Sequence, residues 1–349
     1  MRMGRIKTPL NKALAGALLV LAATRGARAE APPDPQKLLS AVLEPSAVAF
    51  EGRMMVTHWY GKHHSEAEEV HVYHLPPNLS RREFTAPDGT VTKVVVSDGD
   101  REEVHLIRQK KIIEGDAVKS FEKLMPEDRE LELLLKNYKL SVTGPDQVAG
   151  RKAWVLHMAS DHPGKPSQDF WVDQETHAIL ENRRFLPHRP FAALSRYSHF
   201  ETKKTLPEDL FKLELSSSAI QGKGLEPDFM SLDELSQTSG KKAAFPVALN
   251  DGFVFESADY LTVGKHTVLH ARYTDGLAVI SLFQTDRPAR STSKTDSQVA
   301  APASSAKGAG QLRLSASAKV LNFRRGPRFY TLMGDVSREM LQEIAAQVK

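Results

Sequence analysis

The chain contains no cysteine. Without cysteine it can form no disulfide, and it cannot carry the lipid-modified cysteine that anchors a lipoprotein. The fold must therefore be held together by burying apolar side chains. A chain of 349 residues is long enough to do this in two domains.

Long apolar runs are also missing, apart from one near the N-terminus. Residues 13–23 are apolar but too few to cross a bilayer, and they follow four Lys or Arg residues. Ala27 and Ala29 then supply the small residues that a signal peptidase requires. We expect residues 1–29 to be a signal peptide that is cleaved before Glu30 and directs the protein to the periplasm. An uncleaved membrane anchor is the alternative, and the short apolar run disfavours it.

The chain also lacks a large net charge of either sign when residues 1–29 are excluded. Six of the 47 Lys and Arg residues lie in the first 29 residues, which contain no acid, so the rest of the chain has 41 basic and 43 acidic residues. Nucleic-acid binding requires a clustered positive surface. The charge balance therefore argues against a nucleic-acid partner.

Catalytic and cofactor-binding motifs are absent as well. The sequence has no G-x-S-x-G, no phosphate-binding loop and no H-E-x-x-H, so no enzyme activity and no cofactor are predicted. The candidates for metal ligands are His63, His64, His71 and His74. Because His71 and His74 are three residues apart on a predicted strand, they should face opposite sides. We expect solvated strand histidines and no metal site, and we leave a pH-sensing role open.

Residues 168–185 are the clearest structural signal in the chain. Phe170 and Trp171 favour a strand, Asp173 begins a polar reversal, and residues 178–185 can return antiparallel. We therefore predict a β-hairpin. Turn and strand signals on both sides extend this hairpin into a meander of antiparallel strands.

Four segments carry a resemblance to a known family. They are LLLKNY at residues 133–138, VAGRKAW at 148–154, FWVDQET at 170–176 and YTDGLAVISLF at 273–283. Their order resembles the RseB/MucB family of periplasmic regulators of the envelope-stress sigma factor. The W-x-D-x-x-T hairpin is also similar to the LolA class of lipoprotein carriers. The family usually has glycine after the hairpin turn, where this chain has His177, and a positive φ costs histidine more than glycine.

The resemblance implies an α+β fold in two parts. Residues 30–215 would form a LolA/RseB-like half-barrel, an antiparallel sheet with helices in its concave face. Residues 216–242 read as a polar connector, and residues 243–349 would form a smaller α+β domain. Within that domain residues 286–311 contain few large apolar side chains, so we expect a mobile loop.

Smaller elements are predicted from local patterns. Helices are expected at residues 35–42, at 126–136 and from Ser337 onward, because proline or acidic residues precede apolar residues at helical spacing. The apolar residues in 206–211 are spaced to hold a short loop against the large sheet.

Two sets of residues are candidates for binding. The aromatic residues that could contact acyl chains are Phe50, Trp59, Trp154, Phe170, Trp171 and Phe185. The alternative is that most of them are ordinary core residues. By resemblance, the candidates for protein contact in the second domain are Tyr273, Asp275, Leu277 and Phe283.

Two classes of function follow from the resemblance. The favoured one is a regulator that binds the periplasmic segment of a membrane-spanning anti-sigma factor, shields it from proteolysis and releases it when lipid or lipoprotein signals arrive. The alternative is a periplasmic carrier of lipid or lipoprotein acyl chains without a signalling role. A homodimer is compatible with either. We expect the first domain to sense amphiphiles, the second to supply most partner contacts, and the connector to let them re-orient.

Overall fold

The structure is a computed structural model of the chain. It describes residues 31–59, 65–116, 127–187, 189–213, 220–223, 230–263, 266–286 and 318–348. The described residues from Pro32 onward belong to the second of two units, Pro32–Lys349. The expected signal peptide, His63, His64 and nearly all of the expected loop at 286–311 lie outside the described residues.

A large sheet of twelve described strands occupies the first part of the second unit. Its strands are β1 (Phe50–Trp59), β2 (Ser65–Leu75), β3 (Leu79–Thr85), β4 (Val91–Ser97), β5 (Arg101–Leu106), β6 (Lys111–Asp116), β7 (Lys139–Val148), β8 (Arg151–Ala159), β9 (Ser167–Asp173), β10 (Ile179–Leu186), β11 (Arg189–Thr202) and β12 (Ile220–Lys223). The spatial order is β12-β6-β5-β4-β3-β2-β1-β11-β10-β9-β8-β7. All neighbours are antiparallel except β12 and β6, and the sheet is open because β12 and β7 form its two edges.

A second sheet of five described strands follows. Its strands are β13 (Val254–Val263), β14 (His266–Thr274), β15 (Val279–Thr285), β16 (Lys319–Arg325) and β17 (Arg328–Gly334). They are antiparallel in the order β13-β14-β15-β17-β16. The α+β class, with a large open antiparallel sheet and a smaller second sheet, is confirmed.

Four α-helices accompany the sheets in the described part of the chain. They are α1 (Pro35–Leu43), α2 (Glu127–Asn137), α3 (Leu232–Ser239) and α4 (Arg338–Gln347). Asp34 caps α1 by accepting two backbone N–H groups, and Ser337 caps α4 by accepting that of Met340. The three predicted helices are therefore confirmed. None of the described helices is long and apolar enough to span a bilayer.

The large sheet buries side chains on both of its faces around β8. Successive residues of a strand point to opposite sides, and Ala153 and Val155 lie in one apolar cluster while Trp154 and Leu156 lie in another. The cluster with Ala153 and Val155 is called the strand cluster, and it also contains Phe50, Val70, Val72, Val148, Trp171, Leu180, Tyr197 and Phe200. The cluster with Trp154 and Leu156 is called the helix cluster, because Leu38 and Leu39 of α1 and Leu134 of α2 belong to it. Its other members are Tyr138, Met158, Val172 and Leu277.

The segment at residues 206–211 packs as predicted. Leu206 and Phe211 are buried against Val94 and Val96 of β4, with a 3₁₀ turn between them. This contact holds the chain onto the large sheet just after β11. The prediction of a short segment held on the sheet is confirmed.

Part of the expected connector is folded. Residues 216–242 include β12 and α3, and α3 begins with a capping box in which Ser231 and Glu234 exchange hydrogen bonds. Leu235 is fully buried against the second sheet. The polar composition was misleading because this short helix buries only one narrow face, so α3 belongs to the second sheet and is not a free linker.

The hairpin predicted around Asp173 is present as β9 and β10. Asp173 Oδ1 accepts hydrogen bonds from the backbone N–H groups of Glu175 and Thr176 and from the Thr176 hydroxyl. Arg151 donates to both carboxylate oxygens. His177 ends the turn at a φ of 57°, in the left-handed region that favours glycine.

Replacing His177 with glycine should raise the free energy of unfolding by about 1 kcal/mol, because glycine adopts this φ without the clash of a Cβ. The midpoint of urea unfolding at constant slope measures the change. The control is His199→Gly on β11, where φ is negative and glycine should destabilise the strand. A lower midpoint for His177→Gly would show that the turn is not strained.

Candidate functional site at the junction of the two sheets

The turn between β14 and β15 is inserted against the helices of the large sheet. It comprises residues 275–278, and its Leu277 side chain lies in the helix cluster with Leu134, Tyr138 and Trp154. The second sheet thus contributes a residue to the apolar core of the first. The two sheets are joined by a packed contact.

Asp275 uses its two carboxylate oxygens differently. Oδ1 accepts hydrogen bonds from the backbone N–H groups of Leu277 (3.0 Å) and Ala278 (2.7 Å), which closes the turn that contains it. Oδ2 accepts from the Tyr138 hydroxyl at 2.9 Å and lies 2.8 Å from the Lys165 ammonium. One oxygen therefore shapes the second sheet, and the other binds groups of the first.

Lys165 comes from the loop between β8 and β9, and its side chain is only 3% exposed. Its ammonium also donates to the backbone carbonyl of Asp251 and lies 5.0 Å from the centre of the Phe253 ring. A buried ammonium is tolerated only when it is paired and hydrogen-bonded. Asp275, with no exposed side-chain surface, supplies that pairing.

Two glycines permit the close approach of the sheets. Gly276 has a φ of 99°, and a Cβ there would lie 2.9 Å from the backbone nitrogen of Leu134 in α2. Gly252 has a φ of 80°, and a Cβ there would lie 1.8 Å from Asn137 Oδ1. The Asn137 amide donates to the Asp275 carbonyl at 2.8 Å. A side chain at Gly276 would therefore meet the backbone of α2, and one at Gly252 would displace the Asn137 side chain.

Further backbone contacts lie beside this cluster. The Gly164 carbonyl accepts a hydrogen bond of 2.8 Å from the N–H of Ser337, the residue that caps α4. Arg184 donates to the Leu277 carbonyl at 3.4 Å and lies 3.6 Å from the Asp335 carboxylate. The junction therefore also includes the segment between β17 and α4.

The electrostatics keep the Tyr138 hydroxyl protonated. Burial raises the pKa of the Tyr138 hydroxyl far above its usual range, and the negative charge of Asp275 acts in the same direction. Tyr138 therefore remains a neutral donor to Asp275 at physiological pH. The groups satisfy one another, so the cluster can position the two sheets.

Comparison with known proteins identifies the first sheet. Residues 50–183, from β1 into β10, match the family model described as the MucB/RseB N-terminal domain. The chain therefore contains a MucB/RseB N-terminal domain over these residues. The matched residues include Asn137, Tyr138 and Lys165, but not Asp275. No curated protein matches the chain.

Solved MucB structures share the fold of both sheets. The chain is 16% identical to MucB in a crystal structure with MucA(peri), with 89% of this chain and 97% of that chain covered and a TM-score of 0.57. For the Pseudomonas aeruginosa MucA/MucB complex the values are 16%, 90%, 97% and 0.60. A further crystal structure of MucB is 17% identical, with 90% and 96% covered and a TM-score of 0.50. At these identities the likeness shows the fold.

Most of the residues predicted to contact a protein partner are buried. Tyr273 and Asp275 have no exposed surface, and Leu277 is 2% exposed. Tyr273 belongs to the core of the second sheet, and the other two form the junction. Phe283 is half-buried and stacked on His270. In this arrangement, therefore, only Phe283 of the four has surface to offer a partner.

The residues predicted to contact acyl chains do not form one surface. Phe50 and Trp171 lie in the strand cluster, whereas Trp154 and Phe170 lie in or against the helix cluster. The two clusters use opposite side-chain directions along β8 and β9. Trp59 and Phe185 are half-buried and belong to neither cluster. Their role in lipid contact stays a prediction.

Two charged side chains contact Trp171. Its indole N–H donates to the Asp146 carboxylate at 2.8 Å, and the Arg183 guanidinium lies 4.2 Å from its ring centre. This hydrogen bond holds the pKa of Asp146 below its ordinary value. The fully buried carboxylate of Glu181 in turn accepts from Arg183 and Arg196. Trp171 is therefore a fixed, hydrogen-bonded residue of the sheet.

Two groups of described residues have metal-ligand spacing. In the first, Glu51, His199 and Glu201, the Lys203 ammonium lies 2.9 Å from Glu201 and 3.5 Å from Glu51, so a cation already pairs with both carboxylates.

In the second group, His162, Asp251 and Glu343, His162 Nδ1 accepts the Gly164 N–H. Nδ1 is thus already used within the loop, and Nε2 lies 3.7 Å from the Glu343 carboxylate. We assign no metal site to either group.

The two predicted strand histidines in the described part of β2 face opposite sides, as expected. His71 packs against Tyr73 and shares a hydrogen bond with its hydroxyl, whereas His74 packs against Phe50 and donates to the Ser46 carbonyl. Burial lowers the pKa of His71, so this ring is neutral at physiological pH.

Lys165, Tyr138 and Asn137 were not among the sequence candidates. A lysine in a loop between two prolines resembles a surface residue, and nothing near it in sequence indicates a carboxylate partner. The sequence feature that could have indicated this site is the Thr274-Asp275-Gly276 turn. The turn requires one carboxylate oxygen of Asp275, so the other oxygen can bind a distant group.

Proposed function

We propose that the protein is a periplasmic regulator that binds the periplasmic segment of an anti-sigma factor, shields it from proteolysis and releases it when lipid or lipoprotein acyl chains bind. The supporting observation is the MucB/RseB N-terminal domain within a fold that matches MucB, as solved with MucA(peri), along about nine tenths of this chain. The proposal is a binding function, without a catalytic step.

The closely packed second sheet favours a regulator over the alternative, a lipid carrier without a signalling role. A carrier would need only the large sheet to hold an acyl chain, whereas here α2 and the β8–β9 loop are built to receive the Asp275 turn. A partner that bridges both sheets would sense their arrangement. If acyl chain and partner prefer different arrangements, each weakens the binding of the other by the same factor.

Binding of a labelled periplasmic segment tests the proposal. The segment comes from a single-span anti-sigma factor encoded in the same genome, and fluorescence anisotropy measures its affinity with and without a triacylated lipopeptide. We expect direct binding, and a loss of affinity of roughly 5- to 150-fold on addition of lipopeptide. The bound segment should also resist a protease that cuts the free segment.

Two variants separate the lipid and partner effects. Trp59→Ala should reduce the effect of the lipopeptide and leave affinity for the segment unchanged, since Trp59 is a half-exposed aromatic of the large sheet. Val247→Ala, at an 80% exposed apolar position, is the control. If lipopeptide binds but the anti-sigma segment does not, the carrier function is the correct one. If lipopeptide leaves segment affinity unchanged, release by lipid is wrong.

A further inference from the structure

We propose that Asp275, Lys165 and Tyr138 form a latch between the two sheets. The latch holds them in the arrangement described here, and breaking it frees the second sheet to move as a folded unit. The inference rests on contacts within the chain and does not depend on the proposed partner.

The first reason to infer a latch is that the two Asp275 carboxylate oxygens bind different parts of the chain. Oδ1 takes both backbone donors of the β14–β15 turn, and Oδ2 takes both donors that come from the first sheet. Losing the Oδ2 contacts therefore leaves the turn with its own hydrogen bonds. The second sheet can separate from the first without unfolding its turn.

The energetics of a buried ion pair are the second reason. Desolvation of the Lys165 ammonium and the Asp275 carboxylate offsets most of their attraction, so such a pair selects a geometry more than it adds stability. When the sheets separate, water hydrates both ions again, and this hydration lowers the free energy of the open arrangement. Separation of an apolar contact of the same area would bring no such gain. The closed arrangement is thus specific and reversible.

The tight fit of the turn makes the contact a two-state one. A Cβ at Gly276 would already lie 2.9 to 3.1 Å from three atoms of Leu134, so the turn has no room to tilt while it is seated. Leu277 fills a place in the helix cluster at the same time. The apolar insertion and the polar contacts must therefore form and break together, as in other packed interfaces with two discrete arrangements.

Three substitutions weaken the latch in different ways. Asp275→Asn keeps an amide oxygen for the turn but places a donor opposite Lys165 and Tyr138. Lys165→Met keeps the length of the side chain and removes its charge, and Tyr138→Phe removes one neutral donor. The control is Lys139→Met, next to Tyr138, because Lys139 forms an ion pair at 2.7 Å with Asp161 while both side chains are about three quarters exposed.

Distances between two spin labels report the arrangement of the sheets. Because the chain has no cysteine, labels can be placed at Asp209→Cys on the first sheet and Val247→Cys on the second, both highly exposed positions. The parent and Lys139→Met should show one narrow distance. Asp275→Asn and Lys165→Met should add a second population, with the ratio of closed to open molecules reduced on the order of 100-fold. Tyr138→Phe should reduce it about tenfold.

The double variant Asp275→Asn with Lys165→Met distinguishes a latch from general damage. It removes the uncompensated charge that either single variant leaves, so the closed population should recover in part. Cooperative unfolding and near-ultraviolet circular dichroism show whether each variant is folded. If Asp275→Asn does not fold, Lys165→Met and Tyr138→Phe decide the result. Folded variants that keep the single parent distance would overturn the proposal.

Discussion

Replacing Asp173 with alanine is expected to lower the free energy of unfolding by about 3 kcal/mol. The fully buried carboxylate organises the β9–β10 turn through Glu175 and Thr176 and accepts hydrogen bonds from Nε and Nη2 of Arg151. Alanine would leave the half-buried Arg151 without its main partner and the turn without its acceptor. Urea unfolding followed by circular dichroism measures the loss, with little change in slope.

The matched control for Asp173 is Glu175→Ala. Glu175 also contacts Arg151, at 2.8 Å, but its side chain is 80% exposed, so its loss should cost less than about 0.5 kcal/mol. Burial opposes ionisation of Asp173, but the hydrogen bonds from Arg151 and Thr176 outweigh it and lower its pKa. The Asp173 contribution should therefore be present above about pH 4 and disappear as the pH falls through the lower folded-state pKa. Equal losses for the two variants would contradict this account.

Replacing Gly276 with alanine is expected to cost about 2 to 4 kcal/mol. The new Cβ would have an unfavourable φ of 99° and would meet the backbone nitrogen of Leu134 at 2.9 Å, where a helix cannot yield as a side-chain tip can. The unfolding midpoint measures the loss.

Gly89→Ala separates the backbone strain from the clash. Gly89 has a similar φ of 83°, but a Cβ there would meet no atom within 4 Å. Gly89→Ala should therefore lower the free energy of unfolding only by the cost of the unfavourable φ, about 1 to 2 kcal/mol. If Gly276→Ala costs no more than Gly89→Ala, the contact between the Asp275 turn and α2 is looser than described.

Local chemistry made several elements predictable. The hairpin around Asp173 follows from strand-forming residues on both sides of a residue that hydrogen-bonds its own turn, and all of these lie within eighteen residues of sequence. The strain at His177 followed in the same way from the expected glycine. Helix α4 was predictable from Ser337 and the apolar residues after it, since capping and amphipathic spacing are local.

Contacts between distant segments were not predictable. The partners Lys165 and Asp275 are separated by more than a hundred residues, and each looks like an ordinary loop residue in its own segment. Leu277 and Tyr273 were predicted by resemblance to contact a protein partner, and their burial likewise depends on distant segments. Helix α3 was missed because Leu235 is its only fully buried side chain. One apolar residue stabilises a helix only if a sheet lies against it, and the local sequence does not show that sheet.

The sequence by itself determined the strands, their turns, the capped helices and the family resemblance, because hydrogen bonding within a turn and the alternation of side chains act over a few residues. Only the tertiary structure decided that the Asp275 turn joins two sheets, and that the six aromatic candidates divide between separate environments. Burial and ion pairing across the junction depend on which surfaces meet in space. A buried lysine and an exposed one have the same local sequence pattern, and only the presence of a carboxylate from the second sheet distinguishes them.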